Sequence, residues 1–209
     1  MHHLRIQLLY LLFLVVYQNA YSQNVVFDKS KIKEKYNIST LKFYISDIKI
    51  LYKDHSTHTL PQKAILIDVL DSNHSYFIYK NNFNFEPDSI TFNLGIDSVM
   101  NVSGAYEGDL DPMNNMYWTW QSGYINLKFE GSIDDGVYRE YHLGGYAYPN
   151  NALQKVSLKM NSSGNTIIYI HLDDFIKSIP DSIPFKFMTP DPKAVYLSHL
   201  FAKCLSSEK

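Results

Sequence analysis

Two short stretches hold the side chains best suited to chemistry. The first is Met116-Tyr-Trp118-Thr-Trp120-Gln-Ser-Gly123-Tyr124, which carries both tryptophans of the chain. In extended backbone successive side chains alternate between faces, so Met116, Trp118 and Trp120 are expected on one side. Two indoles on one side build either the wall of a core or the wall of a cleft. The second stretch is Tyr138-Arg-Glu-Tyr-His142-Leu-Gly144-Gly145. His142 stands near the end of an expected strand, just before two glycines where backbone can open. An imidazole so placed is a candidate metal ligand; the competing reading is a hydrogen-bonded interior histidine. Met100, Met113 and Met116 bring soft thioethers to the same region. Such donors suit Cu(I), although methionines also fill gaps in cores.

Among the remaining histidines, His171 is the preferred second ligand because it too sits at a strand end. His55 and His58 fall in a polar loop, His74 in a turn and His199 on a helix, and each reads first as a solvated surface side chain. Asp109-Leu-Asp111-Pro-Met-Asn-Asn115 invites a calcium reading. Met113 occupies the place where a third oxygen is due, and no glutamate closes the loop. The chain has no nucleophile elbow, P-loop or dinucleotide fingerprint. No carboxylate pair stands out for glycoside hydrolysis. It therefore reads as a binding protein and not an enzyme, with a hydrolase of unrecognised site as the weakest alternative.

These side chains need rigid elements to hold them, and the pattern supplies strands. Leu41 to Ile45 alternates apolar and polar, and Ile48 to Tyr52 does so again one residue out of phase. A phase slip within one strand predicts a bulge near Ser46-Asp47. Further strands are expected at Ala64–Leu70, Ser75–Tyr79, Ser89–Leu94, Tyr124–Glu130, Tyr138–Leu143, Val156–Met160 and Thr166–His171. Asp71 to His74 and Asn161 to Asn165 read as hairpin turns. Helical signals come late, at Leu172–Ser178 and at Asp191–Leu205, where Asp191 can cap and Pro192 sits at the first helical position. The expected fold is an all-β antiparallel sandwich with a long irregular segment, about residues 95–121, and a short C-terminal helix. Eight of the nine glycines fall between Gly95 and Gly145. Glycines gathered around tryptophans imply backbone held close to something bulky.

The start of the chain sets the expected compartment. His2, His3 and Arg5 precede a nearly continuous apolar run from Ile6 to Tyr17, too short for a permanent membrane span and of the length of a signal-peptide core. Ala20-Tyr21-Ser22 supplies small residues for cleavage, so residues 1–22 read as a signal peptide and 23–209 as a single domain. No cysteine lies near the cut to carry a lipid anchor. The expectation is an exported protein, periplasmic or at the cell surface or secreted, without a transmembrane span. The net charge of −2 and the scarcity of arginine leave no basic stripe for nucleic acid. Cys204 is the single cysteine, which excludes an intramolecular disulfide and any zinc site built on several thiolates.

Taken in order, Gly95-Ile-Asp97-Ser, Asn101-Val-Ser-Gly104, Asp109-Leu-Asp111-Pro112, the double-tryptophan stretch, Lys128-Phe-Glu130-Gly131 and His142-Leu-Gly144-Gly145 resemble the MbnP family. Leu41 to Ile48 looks like that family's first strand. The resemblance spans nearly the whole mature domain. It implies an exported β-sandwich similar to the copper-binding proteins MopE and CorA. Binding there depends on oxidation of a tryptophan to kynurenine by a di-haem, MauG-like partner (MbnH). Carried over, Trp118 or Trp120 would be the oxidised residue and His142 a copper ligand, with Met116 and Tyr124 in a supporting shell. Indole has no lone pair free for a metal, whereas kynurenine offers an aromatic amine and a carbonyl. Where copper-binding members place an asparagine–histidine pair, this chain has Asn101-Val102, and valine cannot bind a metal. Tyr146 and Ala147 stand where the family has a cysteine. The alternative is a module of the same fold that binds without metal, through an aromatic cleft around Trp118 and Trp120.

Overall fold

The computed structural model describes residues 21–28, 32, 36–81, 86–120, 123–132, 136–162 and 164–208. Its strands, in chain order, are β1 (Tyr21–Asp28), β2 (Asn37–Tyr52), β3 (Thr57–Thr59), β4 (Ala64–Asp68), β5 (Tyr76–Asn81), β6 (Pro87–Leu94), β7 (Tyr117–Trp118), β8 (Gly123–Ser132), β9 (Tyr138–Gly144), β10 (Gln154–Lys159), β11 (Thr166–Ile170), β12 (Lys186–Phe187) and β13 (Leu205–Ser206). The helices are α1 (Ser98–Val102), α2 (Leu172–Lys177) and α3 (Pro192–Lys203). Residues 1–20 of the expected leader lie outside the described residues, and Tyr21 and Ser22 open β1. Among the described residues no helix is long and apolar enough to cross a membrane.

Two sheets form. One has four strands in the order β13-β11-β1-β5; the other has nine, with the path β10-β6-β2-β8-β9-β12 and with β3 and β4 also paired to β2 and β7 to β8. The long strand β2 is the spine of the larger sheet, and its alternation decides the layering. Leu41, Phe43 and Ile45 face inward and are fully buried. They meet Val25, Phe27 and Ile168 from the smaller sheet in one core. Phe27 and Phe43 touch edge to face across the layers at 5.1 Å. Phe201 of α3 packs edge to face on Phe43 at 5.5 Å, and Phe175 of α2 on Phe201 at 5.4 Å, so the late helices close the sandwich.

The phase slip in β2 is a bulge, as the sequence predicts. Asp47 takes a left-handed φ of 48°, and the register on β6 jumps between Ser46 and Lys49. Helix α3 also starts as expected: the Asp191 carboxylate accepts from the Lys193 amide and Pro192 occupies the first turn.

Two expected hairpins are corrected. β4 pairs with β2 and β5 with β1, so Asp71–His74 carries the chain from the larger sheet to the smaller. Likewise β10 pairs with β6 while β11 pairs with β1 and β13, so Asn161–Asn165 joins layers instead of neighbouring strands. In both cases burial of each strand's apolar face against the opposite layer outweighs the local turn signal. The sheets are also mixed, since β1 with β11 and β9 with β12 run parallel.

Candidate functional site

Ahead of the bulge in β2, Tyr44 lies outside the main core, as does Tyr124 of β8; past the bulge the phase is reversed and Ile48, Ile50 and Tyr52 join the main core. The face that carries Tyr44 and Tyr124 is capped by the irregular segment, which folds into α1, two short 3-10 turns and β7. Tyr44, Leu66, Ile96, Leu110, Met116, Trp118, Tyr124 and Ile125 form a second, smaller core there. Hydrogen bonds fix it. Tyr44 Oη donates to the Asp109 carbonyl (2.9 Å), and Tyr124 Oη donates to the Leu110 carbonyl (2.9 Å) while accepting from the Tyr106 amide (3.1 Å). The Tyr124 ring meets Tyr44 and Tyr117 edge to face at 5.7 and 5.0 Å. Burial raises the pKa of both Tyr44 and Tyr124, so both stay neutral donors.

Asn101 ties the segment to the sheet. Its Nδ2 donates to the carbonyls of Ile96 (3.0 Å) and Asp97 (2.9 Å), and its Oδ1 accepts from the Tyr124 amide (2.8 Å). The adjoining Val102 is an exposed side chain on α1. The carboxylates in the calcium-like stretch are engaged by backbone. Asp109 Oδ2 accepts from the Leu66 amide (3.0 Å) and Asp111 Oδ1 from the Met113 amide (2.8 Å).

Trp118 is 6% exposed and Met116 fully buried, whereas Trp120 is 64% exposed. The expectation that all three line one side therefore holds for the first two. The strand there is only two residues long, so alternation ends before Trp120. The two indoles still touch, with centroids 5.8 Å apart and planes tilted by 45°. The Trp118 ring lies over Gly144 of β9. A Cβ at Gly144 would fall 2.8 Å from Trp118 Cζ3 and 2.6 Å from the Tyr124 carbonyl oxygen. Here the gathering of glycines around tryptophan has its physical reason.

His142 precedes Gly144 by two residues on the same strand, so it projects from the same face roughly 7 Å along. Opposite it in register is Lys128. Its Nε2 is 2.8 Å from Glu130 Oε1, and that carboxylate also accepts from Thr40 Oγ1 at 2.6 Å and pairs with Lys128 Nζ at 3.3 Å. Burial pushes the His142 pKa down, against the raising effect of the Glu130 bond. Burial alone would raise Glu130, but bonds from Thr40, His142 and Lys128 outweigh it and hold the carboxyl below its ordinary range. The imidazole is thus neutral near pH 7, fixed through Nε2, and has Nδ1 left for another partner.

His171 is placed elsewhere. It follows β11 of the smaller sheet and stands at the N-cap of α2, and its amide donates to the Cys204 carbonyl (2.9 Å). The main core lies between the two sheets, so His142 and His171 are not brought together. Among the described residues no three His, Cys, Asp or Glu side chains converge as a metal site. His55, His74 and His199 are exposed. His74 is paired with Asp71 (2.7 Å), and His199 contacts Gln154 (3.3 Å).

Sequence reasoning missed two things. Glu130 is the partner that orients His142, and only the β8–β9 register reveals it. Beyond Gly144 the chain also folds into a cleft of about 180 Å³, walled by Trp118, Gly145, Tyr146, Tyr148, Asn150 and Pro190 among others. Tyr146 and Tyr148, following the glycine pair, are the sequence signal that could have found it.

The MbnP family model matches residues 12–180. A search of curated proteins finds no match. Among solved structures, MbnP from Methylosinus trichosporium is similar over 85% of this chain and 88% of its own, with a TM-score of 0.53 and 12% identity, a likeness of fold. With the family model covering most of its length, the chain belongs to the MbnP family.

Proposed function

We propose that this protein is an exported copper-binding protein that sequesters or carries the metal without turning over a substrate. The observation that carries the reading is the placement of Trp118 on Gly144, beside His142 on one face of β9. Of the two tryptophans, Trp118 is the one held against that strand; Trp120 lies tilted against it on the solvent side. We take Trp118 as the residue oxidised to kynurenine by a di-haem oxidase that draws on two equivalents of peroxide; the indole C2–C3 bond is cleaved and C2 leaves as formate, which would turn a donorless indole into an aromatic amine and a carbonyl.

The donor set fits a low-coordinate ion. His142 offers Nδ1, while Glu130 holds Nε2 in the manner of carboxylates that orient metal-binding imidazoles. One imidazole and one nitrogen or oxygen from the modified ring suit Cu(I), which accepts few ligands. Met116 and Tyr124 are sealed in the small core and support the ring without facing the ion.

The test compares protein produced with and without a di-haem oxidase of this type. Peptide mass analysis should show kynurenine at Trp118 only in the first, together with a Cu(I) site in competition titrations. Unmodified Trp118 in protein from the native host, with no Cu(I) site, contradicts the reading.

A further inference from the structure

A haem held in a partner protein cannot touch Trp118. The ring is 6% exposed, rests on Gly144 of β9 and packs into the small core. Its conversion to kynurenine withdraws four electrons. Those electrons must leave through a neighbouring side chain that reaches the surface.

Among the described residues, the ring contact of Trp118 is with Trp120, at 5.8 Å between centroids and 45° between planes. Trp120 is 64% exposed, so a single indole spans the way from the buried ring to the surface. The tyrosines of the small core are poorly suited to the task. A phenol gives up an electron readily only together with its proton, and so needs a base. Tyr44 Oη and Tyr124 Oη instead donate to the main-chain carbonyls of Asp109 and Leu110, which take no proton. Burial also raises the pKa of both. An indole yields its electron first and its proton afterwards, so it needs no such base.

We infer that Trp120 is the relay through which Trp118 is oxidised. An oxidant at the surface takes an electron from Trp120, and Trp118 refills Trp120 across the ring contact. The relay is a property of the fold, and its use rests on the kynurenine reading above. The balance closes with peroxide consumed at the di-haem partner. Two peroxides accept four electrons and four protons and leave as four waters. Trp118 supplies those electrons and protons in four single transfers. It takes up two oxygen atoms from water admitted by the cleft at its side, and its C2–C3 bond breaks. Hydrolysis of the N-formyl group so formed releases formate and leaves the aromatic amine.

The experiment photo-oxidises full-length protein with a ruthenium tris(bipyridine) sensitiser and a cobalt(III) ammine quencher, and peptide mass spectrometry locates the products. Tyr148, also exposed and on the same cleft, is the rival route. The expected result is oxidation at Trp118 in wild type, cut about tenfold or more by Trp120→Phe, restored in part by Trp120→Tyr and unchanged by Tyr148→Phe. Both side chains stand largely in water, so the variants should melt like wild type. With the di-haem oxidase and peroxide, Trp120→Phe should lower kcat for Trp118 conversion more than it raises KM. Oxidation confined to Trp120 in wild type, equal oxidation of Trp118 in wild type and Trp120→Phe, or a loss that follows Tyr148→Phe instead would overturn the relay. Relay under light with no kynurenine made by the oxidase in wild type leaves the relay standing and brings down the copper reading.

Discussion

Gly144→Ala isolates the contact on which the site is built. The added methyl would lie 2.6 Å from the Tyr124 carbonyl oxygen and 2.8 Å from Trp118 Cζ3, against an ordinary contact starting near 3.4 Å. The shortfalls are thus about 0.8 and 0.6 Å. The oxygen belongs to the backbone of β8, which is paired on both edges, so it cannot move cheaply. The indole packs into the small core but also walls the cleft of about 180 Å³, so it can yield only toward that side, and the backbone contact sets the cost. Overpacking of this kind costs about 1–3 kcal/mol. In a chain of this length each kcal/mol lowers Tm by about 2–4 °C, so a drop of about 2–12 °C is expected. Circular dichroism melts measure it, and tryptophan emission should shift as the ring is displaced. Val102→Ala, on an exposed side chain, should stay within about 0.5 kcal/mol of wild type. If Gly144→Ala melts like wild type with unchanged emission, Trp118 does not rest on β9 and the site has been drawn wrongly.

Three further outcomes follow from the same geometry. Asn101→Ala removes three hydrogen bonds, two of them buried, and takes away the side-chain acceptor of the Tyr124 amide, so urea unfolding should register a loss of about 2–4 kcal/mol. Acid should destabilise the protein in two stages. His142 has a depressed folded pKa, so its contribution is present above its unfolded value near 6.5 and is lost as pH falls below it. Glu130, also depressed, contributes above about 4.3 and is lost below that; His142→Gln should abolish the upper stage of a stability–pH curve and leave the lower. Glu130→Gln should leave the fold intact but weaken Cu(I) binding about 10- to 100-fold, since the carboxylate is what orients the imidazole.

The parts of this molecule legible in its sequence are those fixed by local alternation. The slipped phase around Ser46-Asp47 exposes the bulge, and Asp191-Pro192 exposes the start of α3, because each signal is contained within a few residues. Pairing partners are a different matter. Asp71–His74 and Asn161–Asn165 have the composition of hairpin turns, yet both connect the two layers, a choice made by distant apolar faces. The site divides the same way. Trp118 and His142 stand out by type and context, whereas the separation of His171 from His142 follows from which sheet each strand joins. Glu130 and the unpaired oxygen of Asn150 become visible only once strands β8 and β9 are in register and the loop after Gly145 is closed.

The most direct measurement is the Cu(I) affinity of His142→Ala beside wild type, both produced with the di-haem oxidase and both confirmed to carry the modified Trp118. The account predicts that the wild-type site titrates one Cu(I) and that the variant loses it while melting as a folded protein. Equal Cu(I) affinity in the two proteins would contradict it.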